Sequence, residues 1–446
     1  VLYNAVNADP FTLVKDPTPL ADAGFEALRN GYGIVQTGAI EVSNPLSQIA
    51  STYNTAVVDK ISPALSATYK FNNKLSIRSK YLMNRAVVKG QVFRPLVFLG
   101  NNKSLSNTTN NSFTDNKDTY DDYTWNNIIT FEDTFSEVHK VKILLGHEMF
   151  ETKGLFDGQT GVGLLDGANA FADASISNSE VVNPRFQPAA IETGGNQFKN
   201  RLMSYFGRLQ YAFKEKYLVS ALLRRDQSSR FSKVENFNVG YFNSVSLGWN
   251  ISEENFLKDN DFVNSFKLRV SYGQLGSDRV SGGNFPYVGS LNGEGTYSNN
   301  EELLESDLLV GVAEGQLGNP YLKWETTSTG NIGIDVSLLD NKISFNLDVF
   351  QKTTDDLLIQ PQSSGLTGVA GIGSSAPAIN AGTVENSGVE FLISYRDQFS
   401  ENFNFNTSFN FTTINNNVTY VGNLAGFEQG GGFGVGTGIV TSRMEA

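Results

Sequence analysis

Residues 341–354, NKISFNLDVFQKTT, alternate apolar and polar side chains without a slip. Successive side chains on a strand project to opposite faces, so Ile343, Phe345, Leu347 and Val349 share one face and Ser344, Asn346 and Asp348 the other. The pattern recurs. In NFNFNTSFNFTT (402–413), Phe403, Phe405, Phe409 and Phe411 oppose Asn and Ser. Over 331–338, Ile332, Ile334, Val336 and Leu338 oppose Asn331, Gly333, Asp335 and Ser337. Residues 266–272 set Phe266, Leu268, Val270 and Tyr272 against Lys267, Arg269 and Ser271, and 203–213 alternate in the same way. Further runs lie near 61–71, 74–83, 121–132, 139–150, 217–226, 241–250 and 388–397. Together they predict an all-β chain of about 12 strands, each roughly 9–14 residues where about 5–6 is usual. What lies against the apolar face, a second sheet or lipid, the alternation leaves open.

The connections bear on that choice, because they alternate in length. Short ones are KFNNK (70–74), DTFSEVHK (133–140), KEK (214–216), LLDNK (338–342) and DQFSENF (397–403). A medium one, 251–264, reads as a brief helix. Between them lie polar loops near 89–120, 152–200, 274–328 and 354–386, and a shorter one at 227–239. Structureless loops beyond about 12–15 residues are uncommon in a compact soluble domain. An antiparallel up-and-down meander with one trimmed and one elaborated end is the topology of an outer-membrane barrel, with short periplasmic turns and long extracellular loops. Phe213, Tyr217, Phe350 and Tyr395, near strand ends, suit interfacial girdles, although aromatics favour strands anyway. The soluble rival, a β-sandwich array or propeller, fits less well with the strand length, the loop asymmetry and the lack of a fixed-period repeat.

Composition removes whole classes of function. No run of about 18 apolar residues exists, which excludes a membrane helix but not a barrel. The net charge of −12 argues against a nucleic-acid partner. With no Cys, disulfides, thiolate metal sites and Cys nucleophiles are absent. HEMFE (147–151) has Glu151 where a zinc-protease motif needs a second His, and it lies on a strand. DNDF (259–262) lacks the Gly and terminal Glu of a calcium loop, and GGGFGVGTG (430–438) lacks the Lys-Ser/Thr of a phosphate loop. Asp121-Asp122 and Asp355-Asp356 are carboxylate pairs without a partner constellation. We expect no catalytic, metal or cofactor site and no enzyme activity.

Stretches in three regions carry a resemblance. Residues 216–231 read KYLVSALLRRDQSSRF, followed by YFNSVSLGWNISEENF (241–256) and FKLRVSYGQLGS (266–277). Residues 318–339 read GNPYLKWETTSTGNIGIDVSLL, and 383–393 read TVENSGVEFLI. In this order, from about 45 to about 415, the chain resembles the barrel of SusC/RagA-like TonB-dependent transporters, outer-membrane importers typical of Bacteroidetes. Gln227 stands where the family more often has Gly.

The resemblance implies a fragment of a 22-stranded transmembrane barrel across 1–446, with the plug, the TonB-contacting box, the first strands and the last strands outside the chain. The opening VLYNAVNADP, without initiator Met, and the abrupt TSRMEA fit such cuts. It implies import of a bulky nutrient, an oligosaccharide or peptide, with outer-membrane lipid around the wall, a SusD-like lipoprotein lid and TonB acting through the missing plug. A non-transporting surface barrel or adhesin is the alternative, and a soluble β-rich binding protein a third.

The motif residues also have readings of their own. Arg224, Arg225, Asp226 and Arg230, with Ser228, Ser229 and Phe231, stand where a strand leaves the membrane; an ion-pair network bracing the loop is favoured over a ligand contact. Asn319-Pro320 is a turn, Leu322 and Trp324 mark re-entry into the wall with Trp324 at the outer interface, and Lys323 and Glu325 point to water or lumen. Glu385, Asn386 and Gly388, just before Glu390, read as a turn ending a long loop. Loop tyrosines Tyr287, Tyr297 and Tyr321 have the chemistry to stack on sugars but are not singled out as a ligand site.

Overall fold

The alternating segments form strands that pair mainly with their chain neighbours. The structure, a computed structural model, describes residues 8, 12–35, 42–101, 103, 105–165, 169–186, 196–258, 260–280, 284–289, 293–294, 297–298, 308–309, 312–313, 315, 317–359, 376–422, 427–429 and 443–445. The GGGFGVGTG segment lies outside them. The principal sheet contains β1 Tyr53–Ile61, β2 Ala64–Lys70, β3 Leu75–Arg94, β4 Ser112–Phe135, β5 His139–Leu164, β6 Ser179–Pro184, β7 Gln197–Phe213, β8 Tyr217–Ser228, β9 Val239–Asn250, β10 Val263–Ser277, β11 Glu325–Leu338, β12 Ile343–Asp355, β13 Gly382–Ser400 and β14 Phe403–Val421. Its order is β1-β3-β4-β5-β7-β8-β9-β10-β11-β12-β13-β14, with β2 also on β3 and β6 on β5. The meander is as expected.

The strands exceed their predicted lengths. β4 has 24 residues and β5 has 26, so the loops are shorter than their polar sequences suggest. The segment 95–111 separates β3 from β4, 278–324 separates β10 from β11, and 356–381 separates β12 from β13. Beyond an apolar band polar residues occupy both faces. Alternation then disappears, as in TDNKDTYDD (114–122), while the backbone ladder continues. This corrects the reading of Glu385, Asn386 and Gly388 as a turn, for all three lie inside β13. The run at 61–71 is two strands: Pro63, which has no N–H for a ladder, separates β1 from β2, and both pair with β3. The expected helix at 251–264 is a 3-10 turn, Ile251–Glu253, followed by hydrogen-bonded turns.

The chain divides into two compact units, 1–63 with 83–122 and 152–199, and 64–82 with 123–151 and 200–446. The first has a small core of Phe93, Phe113 and Leu164, with Phe171 packed against it. It also contains α1, Ala23–Arg29, capped by Asp22, and α2, Pro45–Ala50, capped by Asn44. In the second, Phe231, Phe242, Leu322, Trp324 and Ala378 form the core.

Register in the second unit keeps the two faces apart over successive strands. One row runs Tyr211–Val219–Leu247–Val270–Ile332–Val349–Val389, and the next Phe213–Tyr217–Trp249–Leu268–Ile334–Leu347–Phe391–Phe411. A one-residue slip anywhere would exchange the faces. On the opposite face the same strands align Gln210–Ser220–Ser246–Ser271–Asn331–Phe350–Gly388. Phe350 therefore faces the polar side and is no girdle residue, because Val349 beside it takes the apolar side. Its ring lies over Gly388, where an added Cβ would stand 2.8 Å from Phe350 Cζ. Leu247, Ile332 and Val349 are all at least 50% exposed, and no second sheet of the described residues covers them.

The short turns are clasped to one another. Backbone N–H groups of Glu132, Lys214, Asn250, Leu339 and Arg396 donate to the carbonyls of Lys74, Val138, Lys216, Phe262 and Lys342, one hairpin to the next, at 2.7–3.0 Å. Ion pairs run alongside: Lys74–Asp133 at 2.8 Å, Lys140–Glu215, Lys216–Glu254 at 3.1 Å and Lys342–Asp397 at 2.9 Å. Ser136-Glu137 and Lys214-Glu215 both have positive φ at the two turn centres, the geometry whose twist matches antiparallel strands.

Candidate functional site

The polar face is built around Arg269 on β10. Its Nε and Nη2 donate to the two carboxylate oxygens of Asp335 on β11, at 2.7 and 2.8 Å. Nη2 also reaches Asp348 Oδ2 on β12 at 3.0 Å. Asn346 Nδ2 completes Asp335 with a bond of 2.8 Å. Gly333 makes this possible, because it lies between Arg269 and Asp348 in register. A Cβ there would stand 2.4 Å from Asp348 Oδ1 and 2.7 Å from Arg269 Nη2. Beside the network lie two recesses of about 550 and 620 Å³, whose walls include Arg208, Ser220, Ser246 and Ser271. Such a surface offers guanidinium, hydroxyl and amide groups to a hydrated ligand.

Of the motif residues, Phe231, Leu322 and Trp324 lie in the buried core of this unit. Arg224 Nε donates to both oxygens of Asp226 at 2.9 Å, and Nη2 to Ser204 Oγ at 2.9 Å, with Glu148 3.7 Å away. Ser228 Oγ donates to Asp278 Oδ2 at 2.7 Å and accepts from the Arg230 N–H at 3.2 Å. Ser229 Oγ accepts from the Arg201 N–H at 2.9 Å. Phe231 and Phe242 stand 5.5 and 5.4 Å from Trp324, ring centre to ring centre. Trp324 is 7% exposed and Leu322 fully buried. The expectation of Trp324 at the outer interface is therefore wrong; it precedes β11, outside the alternation that positioned it, and packs inward against rings from the preceding segments.

A polar clamp holds this turn. Asn319 Nδ2 donates to Ala378 O at 2.9 Å, and its Oδ1 accepts from the Tyr321 N–H beyond Pro320 at 3.0 Å. Asn380 Oδ1 accepts from the Lys323 N–H at 3.0 Å and Asn380 Nδ2 donates to Lys323 O at 2.9 Å. Lys323 Nζ lies 2.8 Å from Asp356. Glu325 opens β11 opposite Ser277. Further along β13, Asn386 Oδ1 accepts from Asn416 Nδ2 at 2.7 Å, and Glu385 and Glu390 pair in register with Thr353 and Asp348.

The remaining sequence candidates are dispersed. Asp355 Oδ1 accepts from Thr383 Oγ1, and Asp121 lies 3.8 Å from Arg85. His147 lies between Trp125 and Tyr205, with ring centres 6.1 and 5.0 Å away. Tyr287 and Tyr321 meet Phe285 and Phe237 edge-on; the Tyr297 side chain lies outside the described residues. Sequence reasoning missed the Arg269–Asp335–Asp348 network and Asn380. Charged residues on the polar side of otherwise apolar strands were the available signal.

A family model described as TonB dependent receptor-like, beta-barrel matches residues 95–440. The chain belongs to that family. Among curated relatives it is 34% identical over 316 residues to TonB-dependent receptor P39 of Formosa agariphila, covering 70% of this chain and 28% of the relative. It is 35% identical over 210 residues to TonB-dependent receptor SusC of Bacteroides thetaiotaomicron, covering 46% of this chain and 20% of the relative. Among solved structures, the RagAB peptide transporter superposes with a TM-score of 0.69 at 20% identity, over 90% of this chain and 41% of that one. The fold is therefore that of the TonB-dependent barrel, and the chain is SusC/RagA-like. It spans between a fifth and about a third of the length of the curated relatives it matches.

Proposed function

We propose that the chain forms part of the wall of an outer-membrane, TonB-driven importer of a bulky polar nutrient, an oligosaccharide or a peptide. The observation that carries this reading is the separation of faces: apolar rows in register over seven or eight strands, backed by a polar face organised by Arg269. An exposed apolar band on one side and a hydrated side chain lattice on the other are what a pore wall in lipid requires. On this reading 1–446 is a partial barrel domain, completed by a plug and further strands, and the motif residues other than Arg225, which has no carboxylate partner among the described residues, brace the loop end rather than grip cargo. A SusD-like lipoprotein would close the long-loop mouth, and TonB would act through the plug.

Uptake by cells lacking the gene tests this. Cells expressing the full-length protein should import either fluorescent oligosaccharides or fluorescent peptides, and lose that uptake when TonB is deleted. Uptake of neither class, or uptake independent of TonB, would overturn the reading.

A further inference from the structure

The apolar face carries a cation that its surroundings leave without a counter-charge. Arg225 shares this face with Leu223, and its partners in register are Tyr205 on β7 and Tyr241 on β9. Its guanidinium reaches Gln227 Oε1 at 3.5 Å, and among the described residues no carboxylate lies within ion-pair distance of it. Nearby arginines differ: Arg201 pairs with Glu151 at 2.6 Å and Arg224 with Asp226.

Register also gives the depth of Arg225. Phe213, Tyr217 and Trp249 form one row beside the short turns, and Tyr205, Arg225 and Tyr241 form another, eight residues along each strand. Eight strand residues span about 27 Å, or about 20 Å of depth at a tilt of about 40°, against an apolar band about 25 Å tall between aromatic girdles. The upper row thus stands at the outer interface, where lipid headgroups supply the negative charge.

Below it the surface is hollowed. Gly207 leaves a groove of about 490 Å³ flanked by Leu145, Leu223, Tyr205 and Tyr241, with Arg225 at its head. Leu223 and Tyr241 are 67% and 66% exposed. We propose that this groove binds one phosphorylated glycolipid of the outer leaflet, an acyl chain over Gly207 and the phosphate on Arg225. A planar guanidinium offers a phosphate parallel N–H donors, and tyrosines with an apolar body and polar tip suit the boundary. The inference rests on the outer-membrane placement proposed above, not on import.

The test uses the full-length protein purified from membranes in mild detergent, with native mass spectrometry as readout. The probe is the purified outer-leaflet glycolipid, intact or with its phosphate removed. Wild type should retain about one intact lipid, and R225A should bind it about tenfold more weakly, the scale of one charge-assisted bond. Phosphate removal should weaken binding to wild type equally, with no further effect on R225A. Gly207→Leu, whose Cβ would meet only the Leu145 Cδ2 side-chain end at 3.3 Å and the Leu144 carbonyl at 4.0 Å, should weaken both lipid forms. Equal retention of both lipid forms by wild type overturns the proposal, even if R225A does not fold, and so does equal retention by wild type and folded R225A. If the membrane placement itself fails, the wild-type protein is missing from the outer-membrane fraction, a result distinct from either.

Discussion

Arg269 holds Asp348 at 3.0 Å although a whole strand, β11, lies between them. The bridge passes over Gly333, so one missing side chain on the central strand couples three strands of the polar face. Gly333→Ala places a methyl group on that path and should lower stability by about 1–3 kcal/mol, as overpacking does. Arg269→Ala removes the cation shared by the Asp335 and Asp348 carboxylates and should cost about 1–2 kcal/mol after discounting for partial exposure. Heat-modifiable gel migration across a temperature series measures both; an unchanged transition for Gly333→Ala would show that the bridge does not matter.

Trp324 anchors the loop end to the wall. Trp324→Ala removes the ring against which Phe231 and Phe242 pack and should destabilise by about 3–5 kcal/mol. Asn380→Ala breaks the reciprocal bonds to Lys323 and should act more locally. Limited proteolysis should show faster cleavage near 376–382 in Asn380→Ala, with the gel transition of the wall unchanged.

The short-turn rim should respond to pH at both extremes. Tyr217, then Lys216 and Trp249, donate to Glu254 and hold its carboxyl below the ordinary 4.5. A lowered folded pKa stabilises above about pH 4.5 and loses that contribution as pH falls through the folded value. Asp397 holds Lys342 above its ordinary 10.5, so that clasp contributes below this value and is lost as pH rises through the folded one. Glu254→Gln should flatten the acid limb of a melting-temperature profile and leave the alkaline limb alone. An unchanged acid limb in this variant would count against the clasp.

The two faces should tolerate opposite substitutions. Val245 lies on the apolar face midway between the Trp249 and Tyr241 rows, and Ser246 beside it faces the polar side. Val245→Arg should cost about 2–4 kcal/mol, the figure for a cation at the bilayer midplane, lowering the folded fraction in outer membranes. Ser246→Arg should be accepted. Similar folded yields for the two would mean that the faces have been assigned the wrong way round.

Much of this architecture was readable from period and punctuation. Ile343, Phe345, Leu347 and Val349 declare one face of a strand, and LLDNK a tight turn, because both are local properties of consecutive residues. The motifs at 224–231 and 319–325 marked where the chain leaves and rejoins the wall, but not that Phe231 and Trp324 meet. Strand ends were misjudged where polar residues occupy both faces, as at 114–122, since hydrogen-bonded backbone needs no apolar alternation to continue.

The sequence by itself determined the strands, the sidedness of each and the order of long and short connections, for these follow from neighbouring side chains on one backbone. Only the tertiary structure decided what lies beside what. Register between strands brought Arg269 over Gly333 to Asp348, turned Trp324 inward, put Phe350 on the polar face and left Arg225 between two tyrosines. Pairing partners in a sheet are remote in sequence, and a slip of one residue reverses every such relation.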